Sequence, residues 1–445
     1  MDLSTSLILV VLTAVLLWLL NRRNSRNSGK QRLPPGPPAL PLIGNLLQLD
    51  KKRPFRTIVE LSKTYGPVMT IYMGWQRTVA LVGYDAVKEA LVDQADDFVG
   101  RAPLPFFYRA SRGYGIGISN GERWRQLRRF TLTTLRDFGM GRKGMEQWIQ
   151  EESRHLRAHI MSFKGKPFDP MFKLSCAVSN VICCFVYGER FNYDDKQFLE
   201  LLKMISEILD FNGGPIGAMY NLCPWLLEHL PGHQHTVFGY IEVTRNYAKK
   251  KIQEHKDTLD PSFPRDFIDR FLIHMDQEKD NPTSEFHYEN LVSTVLNLFL
   301  AGTETTSSTI RYALSVLIKH PKIQGMFSCR TPRRHPRGDT MIFPMLHSVL
   351  REDKLWSSPW SFNPQNFLDQ NGNFKKNPGF VPFSAGKRAC VGESLARMEL
   401  FLFIVSFLQE FTFSAPNGPD SINLVPEYSG LTNQHCRYEL IATPR

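Results

Sequence analysis

The sequence predicts a mainly α body with small β sheets, set behind one N-terminal apolar helix. Three observations carry this. Apolar residues recur at helical spacing through most of the chain, two short alternating runs stand near its start, and residues 3–20 are almost wholly apolar. The chain has 445 residues, 42% hydrophobic and 12% aromatic, enough for a sizeable core.

Ser4, Thr5, Ser6 and Thr13 are the only interruptions in residues 3–20. As a helix this run rises about 27 Å, just enough for one bilayer crossing. Asp2 precedes it, and Arg22, Arg23, Arg26, Lys30 and Arg32 follow, so the basic flank is expected to stay in the cytoplasm. A cleaved leader would carry its positive charge first and small residues last, whereas this run ends Trp18-Leu19-Leu20-Asn21-Arg22. Residues 1–20 therefore read as an uncleaved transmembrane signal anchor. Residues 21–38 read as a basic, proline-rich hinge, because Leu33-Pro34-Pro35-Gly36-Pro37-Pro38 fixes φ and removes donors, making a semi-rigid spacer. Residues 39–445 then form the body.

In the body, 68–72 and 78–82 alternate as a hairpin sheet would. Helical periodicity marks 84–92, 122–138, 145–163, 169–187, 197–209, 237–258, 289–320 and 394–411. Leu222-Cys223-Pro224-Trp225-Leu226-Leu227 is apolar among prolines and reads equally as core or as a second membrane-dipping patch. Lys and Arg number 54 against 43 Asp and Glu, a bias that suits an anionic membrane or an acidic protein. The basic residues are dispersed, without zinc-finger spacing or an aromatic-basic RNA motif, so no nucleic-acid partner is expected. The seven cysteines include no C-x-x-C pair, which argues against a disulfide framework and for a body facing the cytosol.

One cysteine stands apart. Pro382-Phe383-Ser384-Ala385-Gly386-Lys387-Arg388-Ala389-Cys390-Val391-Gly392-Glu393 leads into an apolar helix. A cysteine just before a helix N-terminus has its thiolate favoured by the dipole and by free backbone N–H groups. Gly386 and Gly392 allow close approach of the backbone. This loop resembles the heme-binding loop of the cytochrome P450 superfamily, Phe-x-x-Gly-x-Arg-x-Cys-x-Gly, at all five fixed positions. The resemblance implies heme b, with Cys390 as axial ligand of the iron, Arg388 on a propionate and Phe383 shielding the sulfur. A structural cysteine in a surface loop is the alternative.

The resemblance extends to other segments. Within 289–320, Ala301-Gly302-Thr303-Glu304-Thr305-Thr306 puts poor helix formers in mid-helix, where a local opening of the hydrogen-bond ladder would explain them. It implies that Thr305 holds dioxygen or a water, that Glu304 relays protons and that Ala301 faces substrate. Thr hydroxyls bonded back to carbonyls in an ordinary core helix are the alternative. Trp124 and Arg128, four apart on one helix face, resemble the family's propionate-binding helix, and Arg101 a further propionate partner. Arg125, Arg129, Arg136, Arg142 and Lys143 read as a docking patch for an acidic flavoprotein reductase or as a solvated face.

Ser119-Asn120-Gly121-Glu122-Arg123-Trp124 and Phe362-Asn363-Pro364-Gln365-Asn366-Phe367, with the anchor and hinge, resemble vertebrate microsomal family 2 members. They imply an endoplasmic reticulum protein whose catalytic domain faces the cytoplasm. It would oxidise xenobiotics, fatty acids or steroids with O2 and electrons from an NADPH-dependent flavoprotein reductase. Ile118, Ala301 and the strand Phe343-Pro344-Met345-Leu346 would line the substrate pocket.

One family element is missing from the sequence. Relatives carry a core helix with Glu-x-x-Arg before the Cys loop, but the only Glu between Arg311 and Cys390 is Glu352, with Leu355 three residues on. Thr305 and Cys390 are 85 positions apart, too few for that helix and its strands, and Asn366 holds the third partner's place. Residues 326–337 have no periodicity and five Arg or His, as a skipped exon or frame error would leave. Two readings follow: a reductase-dependent monooxygenase, or a heme-poor, inactive membrane-anchored isoform.

Overall fold

The computed structural model describes residues 9–15, 33–138, 143–321, 324, 342–429 and 433–445. Its helices include α1 (Pro54–Tyr65), α2 (Gly121–Asp137), α3 (Lys143–Ser162), α4 (Met171–Tyr187), α5 (Lys196–Gly213), α6 (His233–Asp257), α7 (Phe267–Gln277), α8 (Tyr288–Lys319) and α9 (Glu393–Glu410). The strands that build its two main sheets are β1 (Val68–Met73), β2 (Gln76–Leu81), β3 (Ile342–Pro344), β4 (Phe411–Ser414) and β5 (Ile441–Pro444). The architecture is mainly helical with small sheets, as the periodicity requires. Of the apolar run 3–20 only 9–15 are described, and they are helical; among the described residues no helix is long and apolar enough to cross a membrane. The segment 326–337 lies outside the described residues.

The chain forms two compact units. The first comprises Met1–Val99 and Pro332–Lys387. Here β1 and β2 pair antiparallel, from Val68 opposite Leu81 to Met73 opposite Gln76, and β3 adds parallel to β2. The expected strand through Leu346 stops at Pro344; Met345 N–H makes the last bond to β2, to Leu81 O at 2.9 Å, and Leu346–Val349 turns into a short helix. One face of the sheet buries Met69, Ile71 and Ala80 with Ile58 of α1. The proline hinge is pinned along β1: Thr70 N–H donates to Pro35 O at 2.8 Å, and a Cβ on Gly36 would stand 1.9 Å from Thr70 O. Only glycine permits that approach.

The second unit comprises Gly100–Thr331 and Arg388–Arg445. α8 is its axis, with α4 packed along it and α9 against it. Both partners bring apolar faces, including Val178, Val181 and Ile182 of α4 and Phe403 and Phe407 of α9. Gly302 has a steric rather than an opening role. α8 runs as a continuous α-helix, so the expected break in its ladder is absent, and a Cβ on Gly302 would meet Ile182 Cδ1 at 2.4 Å.

Several buried charges of this unit are paired. Glu152 accepts from Arg190 at 2.7 Å, from Asn180 and from Tyr193. Arg245, wholly buried, reaches Glu289 and Ser293. His255 faces Asp266 Oδ2 at 2.7 Å with one ring nitrogen and Lys251 O at 2.7 Å with the other. Both partners are acceptors, so both nitrogens carry hydrogen and the imidazole is a cation. Asp266 also caps α7, and Asp269 is held by both sides of the Arg265 guanidinium. His255, Asp266 and Asp269 cluster as metal ligands would, yet each is already committed to a bond or ion pair within the fold.

Candidate active site around Cys390

Cys390 ends the loop that enters α9, whose N-cap is Gly392. Gly386 lies at φ +88°, a turn that an L side chain would strain. Gly392 has ordinary φ, and a Cβ there would come only within 4.0 Å of the Cys390 sulfur. The loop is tied to α2 by two arginines. Arg128 Nη2 donates to Ala389 O at 2.6 Å. Arg388 Nη2 donates to Ser119 O and Asn120 Oδ1, each at 2.7 Å, and its guanidinium stacks 4.0 Å over the Trp124 ring. Asn120 stands at the N-cap of α2 but gives its side chain no capping role. It bonds the Arg101 backbone instead, in both directions.

Arg101, Trp124, Arg128, Arg388 and Cys390, far apart in sequence, thus gather in one unit. Cys390 and Arg101 are reachable by water yet closely walled by protein. Burial pushes the Cys390 thiol up, opposed by the Gly392 N–H and Arg128 and reinforced by Glu393. The helix-start argument for a free thiolate therefore loses to desolvation in the protein alone. Burial likewise pulls Arg101 and Arg128 down, and among the described residues neither forms an ion pair with a carboxylate. Two guanidinium groups without an acid beside them offer a place for an anion.

α8 supplies the other wall feature. It is buried along most of its length, yet Ala301, Thr305 and Thr309, at i, i+4 and i+8, are accessible. Thr305 Oγ1 donates back to Ala301 O at 2.7 Å and Thr309 Oγ1 to Thr305 O at 2.7 Å, the back-bonded arrangement of a core helix. Glu304 is buried on another face. Its carboxylate accepts from Ser308 at 2.6 Å and lies 3.7 Å from Arg311. Burial pushes its pKa up against both neighbours. Ile118 is half-buried. Phe383, Gly386, Pro344 and Met345 belong to the first unit, where Met345 packs on the sheet core. In that unit Asn366 Oδ1 accepts from Ser357 N–H at 2.9 Å. Sequence reasoning assigned no role to Asn120 or Thr309; the four-residue step from Thr305 was the signal for Thr309.

The residues fit an anionic, thiolate-ligated macrocycle: a thiol on a helix-entry loop, paired walled guanidinium groups, and an accessible stripe along a buried helix. The comparisons agree. Residues 34–327 and 335–441 match the cytochrome P450 family, and the chain belongs to it. Members of that family are monooxygenases that bind heme b. Human cytochrome P450 2A13 is 42% identical over 497 positions, covering all of both chains. Rat cytochrome P450 2C23 is 42% identical over 491 positions and 99% of each, and rabbit cytochrome P450 2G1 is 43% identical over 463 positions, 93% of this chain and 94% of its own. These relatives are family 2 members. The family match breaks between 327 and 335, inside the segment that lacks periodicity. The alignment with 2A13 is 52 positions longer than this chain.

Proposed function

We propose that this chain oxidises apolar small molecules, namely xenobiotics, fatty acids and steroids, with O2 and electrons from an NADPH-dependent flavoprotein reductase. The observation that supports this most is the gathering of Cys390, Arg101, Arg128 and Arg388 in one unit with the accessible Ala301–Thr305–Thr309 stripe. Heme b, when bound, supplies the iron at which dioxygen is reduced and one oxygen atom passes to substrate. Cys390 would hold the iron through its sulfur, and metal charge offsets the burial that otherwise keeps the thiol protonated. Arg101, Arg128 and Arg388 would take the propionates. Thr305, already donating to Ala301 O, has lone pairs to accept a proton donor in the pocket. Glu304, its acidity weakened by burial, would store a proton and relay it. Ile118 and Ala301 would form apolar pocket wall.

Arg125, Arg129 and Arg136 are exposed on the side of α2 away from Trp124 and would dock an acidic reductase, although Arg125 already pairs with Glu122. Residues 1–20 would anchor the chain in the endoplasmic reticulum with the body on the cytoplasmic side. Trp225 and Leu226 are 64% and 43% exposed, which favours a lipid contact over core for 222–227. The test is the reduced, carbon-monoxide-bound spectrum of the purified chain: a thiolate-type Soret band supports the enzyme. The break in the family match and the longer alignments favour a second reading, in which the Glu-x-x-Arg helix is absent and heme is poorly retained. Purified protein without a heme band would decide for that reading.

A further inference from the structure

A surface pocket of about 610 Å³ in the second unit is lined by His155 and His159 of α3 and by Arg190, Tyr193, Asp194 and Asp195 of the turn that joins α4 to α5. The turn is held from beneath. Asn180 of α4 donates to Phe191 O at 2.9 Å and accepts from Phe191 N–H at 3.0 Å. Arg190 and Tyr193 spend their polar groups on buried Glu152. Asp195 caps α5, accepting from Phe198 N–H at 2.9 Å. Three side chains of the lining are left over. His155 is exposed and Asp194 is 97% exposed, its carboxylate paired only with Lys173 at 3.4 Å. Among the described residues neither ring of His155 and His159 has a hydrogen-bonded nitrogen.

His159 needs a partner. Its Nε2 is shut off from water and unpaired. Leaving a buried polar atom unpaired costs stability, and a missing ion is one of the few reasons a fold does so. Phe163 and Tyr193 meet the ring edge-on, with centroids at 5.3 and 6.0 Å, and no hydrogen bond fixes which edge faces the pocket. The ring can therefore turn about Cβ–Cγ and present a nitrogen. Burial and Lys173 hold its pKa below the ordinary histidine value against the pull of Asp194, so the imidazole is neutral at pH 7 and keeps a lone pair to give.

His155 and His159 stand four apart, so they share one face of α3. Two histidines at this spacing are a pair with which a helix chelates zinc. Asp194 adds a carboxylate from the turn. Two neutral imidazoles and one carboxylate suit a transition-metal ion, whereas calcium and magnesium take oxygen ligands.

We propose that His155, His159 and Asp194 form a binding site for a divalent ion of the zinc class, which pins the turn at 188–195 to α3. The three are not gathered in advance as His255, Asp266 and Asp269 are, so binding draws the two exposed side chains onto His159. The site is independent of heme, and Zn2+ alone is the probe. In equilibrium dialysis of the full chain, His155→Ala and His159→Ala should each weaken one equivalent of zinc at least about tenfold, since losing even a residue that merely supports a ligand costs that much. Asp194→Asn, at an exposed position, should weaken it less and leave the fold intact. Zinc-edge X-ray absorption of the chain with one equivalent should show nitrogen and oxygen neighbours at about 2.0–2.1 Å and no sulfur. His155→Cys should regain the affinity lost in His155→Ala and bring one sulfur to about 2.3 Å from the metal, which a merely structural histidine would not allow. Excess Mg2+ should leave the zinc in place. No bound zinc, equal affinity after loss of both histidines, sulfur around the first equivalent in wild type, or displacement by Mg2+ overturns the site.

Discussion

Gly302→Ala asks whether the contact between α4 and α8 is as close as the geometry states. A new Cβ would stand 2.4 Å from Ile182 Cδ1 and 2.6 Å from Cγ1, where ordinary contact begins near 3.4 Å. Ile182 is 4% exposed and has little room to withdraw. Overpacking of this kind costs about 1–3 kcal/mol. Replacing glycine by alanine in a helix interior returns about 1 kcal/mol. The balance is a net loss of up to about 2 kcal/mol. Ile182→Ala removes both obstructing atoms at its own cost of about 2–5 kcal/mol. In that background Gly302→Ala should stabilise by about 1 kcal/mol, because only the helix preference remains. Urea unfolding of the four proteins in the cycle measures the reversal of sign, a coupling of about 1–3 kcal/mol. If Gly302→Ala stabilises wild type as much as it stabilises the Ile182→Ala protein, the close approach is not what demands glycine.

Other outcomes follow from the charge networks and the cysteine. Burial alone would lower the pKa of His255, but the bond to Asp266 and its charge outweigh burial and leave it raised. Its stabilisation is complete below the unfolded value of about 6.5 and lost as pH rises through the folded value. Urea midpoints of wild type should therefore fall over that window relative to His255→Gln, and parallel profiles would refute the cationic assignment. Glu152→Gln leaves Arg190 facing an uncharged amide, and because Arg190 is a quarter exposed the cost should be about 2–3 kcal/mol by denaturation, below that of a fully buried pair. Cys390→Ser should keep far-ultraviolet dichroism and lose any thiolate-type Soret band; an unchanged band would dismiss Cys390 as ligand. Arg128→Met should release heme to apomyoglobin several-fold faster than wild type, and equal rates would deny it a propionate.

What could be read from the sequence was what repeats along it. Helical spacing marked α2, α3, α4 and α8 to within a few residues, because each buries one face at a fixed period. The hairpin of β1 and β2 was legible from alternation for the same reason. α1 escaped notice although Pro54 at its first turn is a start signal. α7, of 11 residues, is short enough that its few apolar positions make a faint period. The Cys390 loop was legible because a metal-binding turn compresses its chemistry into consecutive residues.

Contacts through space were illegible for a physical reason. Nothing local in Gly302 distinguishes a ladder opening from a close approach, since both favour the smallest residue; the neighbour Ile182, 120 positions earlier, decides. The same holds for Cys390. Its position before a helix argues for a thiolate, and that dipole effect is worth at most about 2 kcal/mol. Walling by protein acts the other way and prevails. Cys390 is still reachable by water, so its raised pKa reports the protein that walls its other sides. A cation at the sulfur would favour the thiolate against that desolvation. Any change that opens the wall around Cys390 should therefore acidify the free thiol.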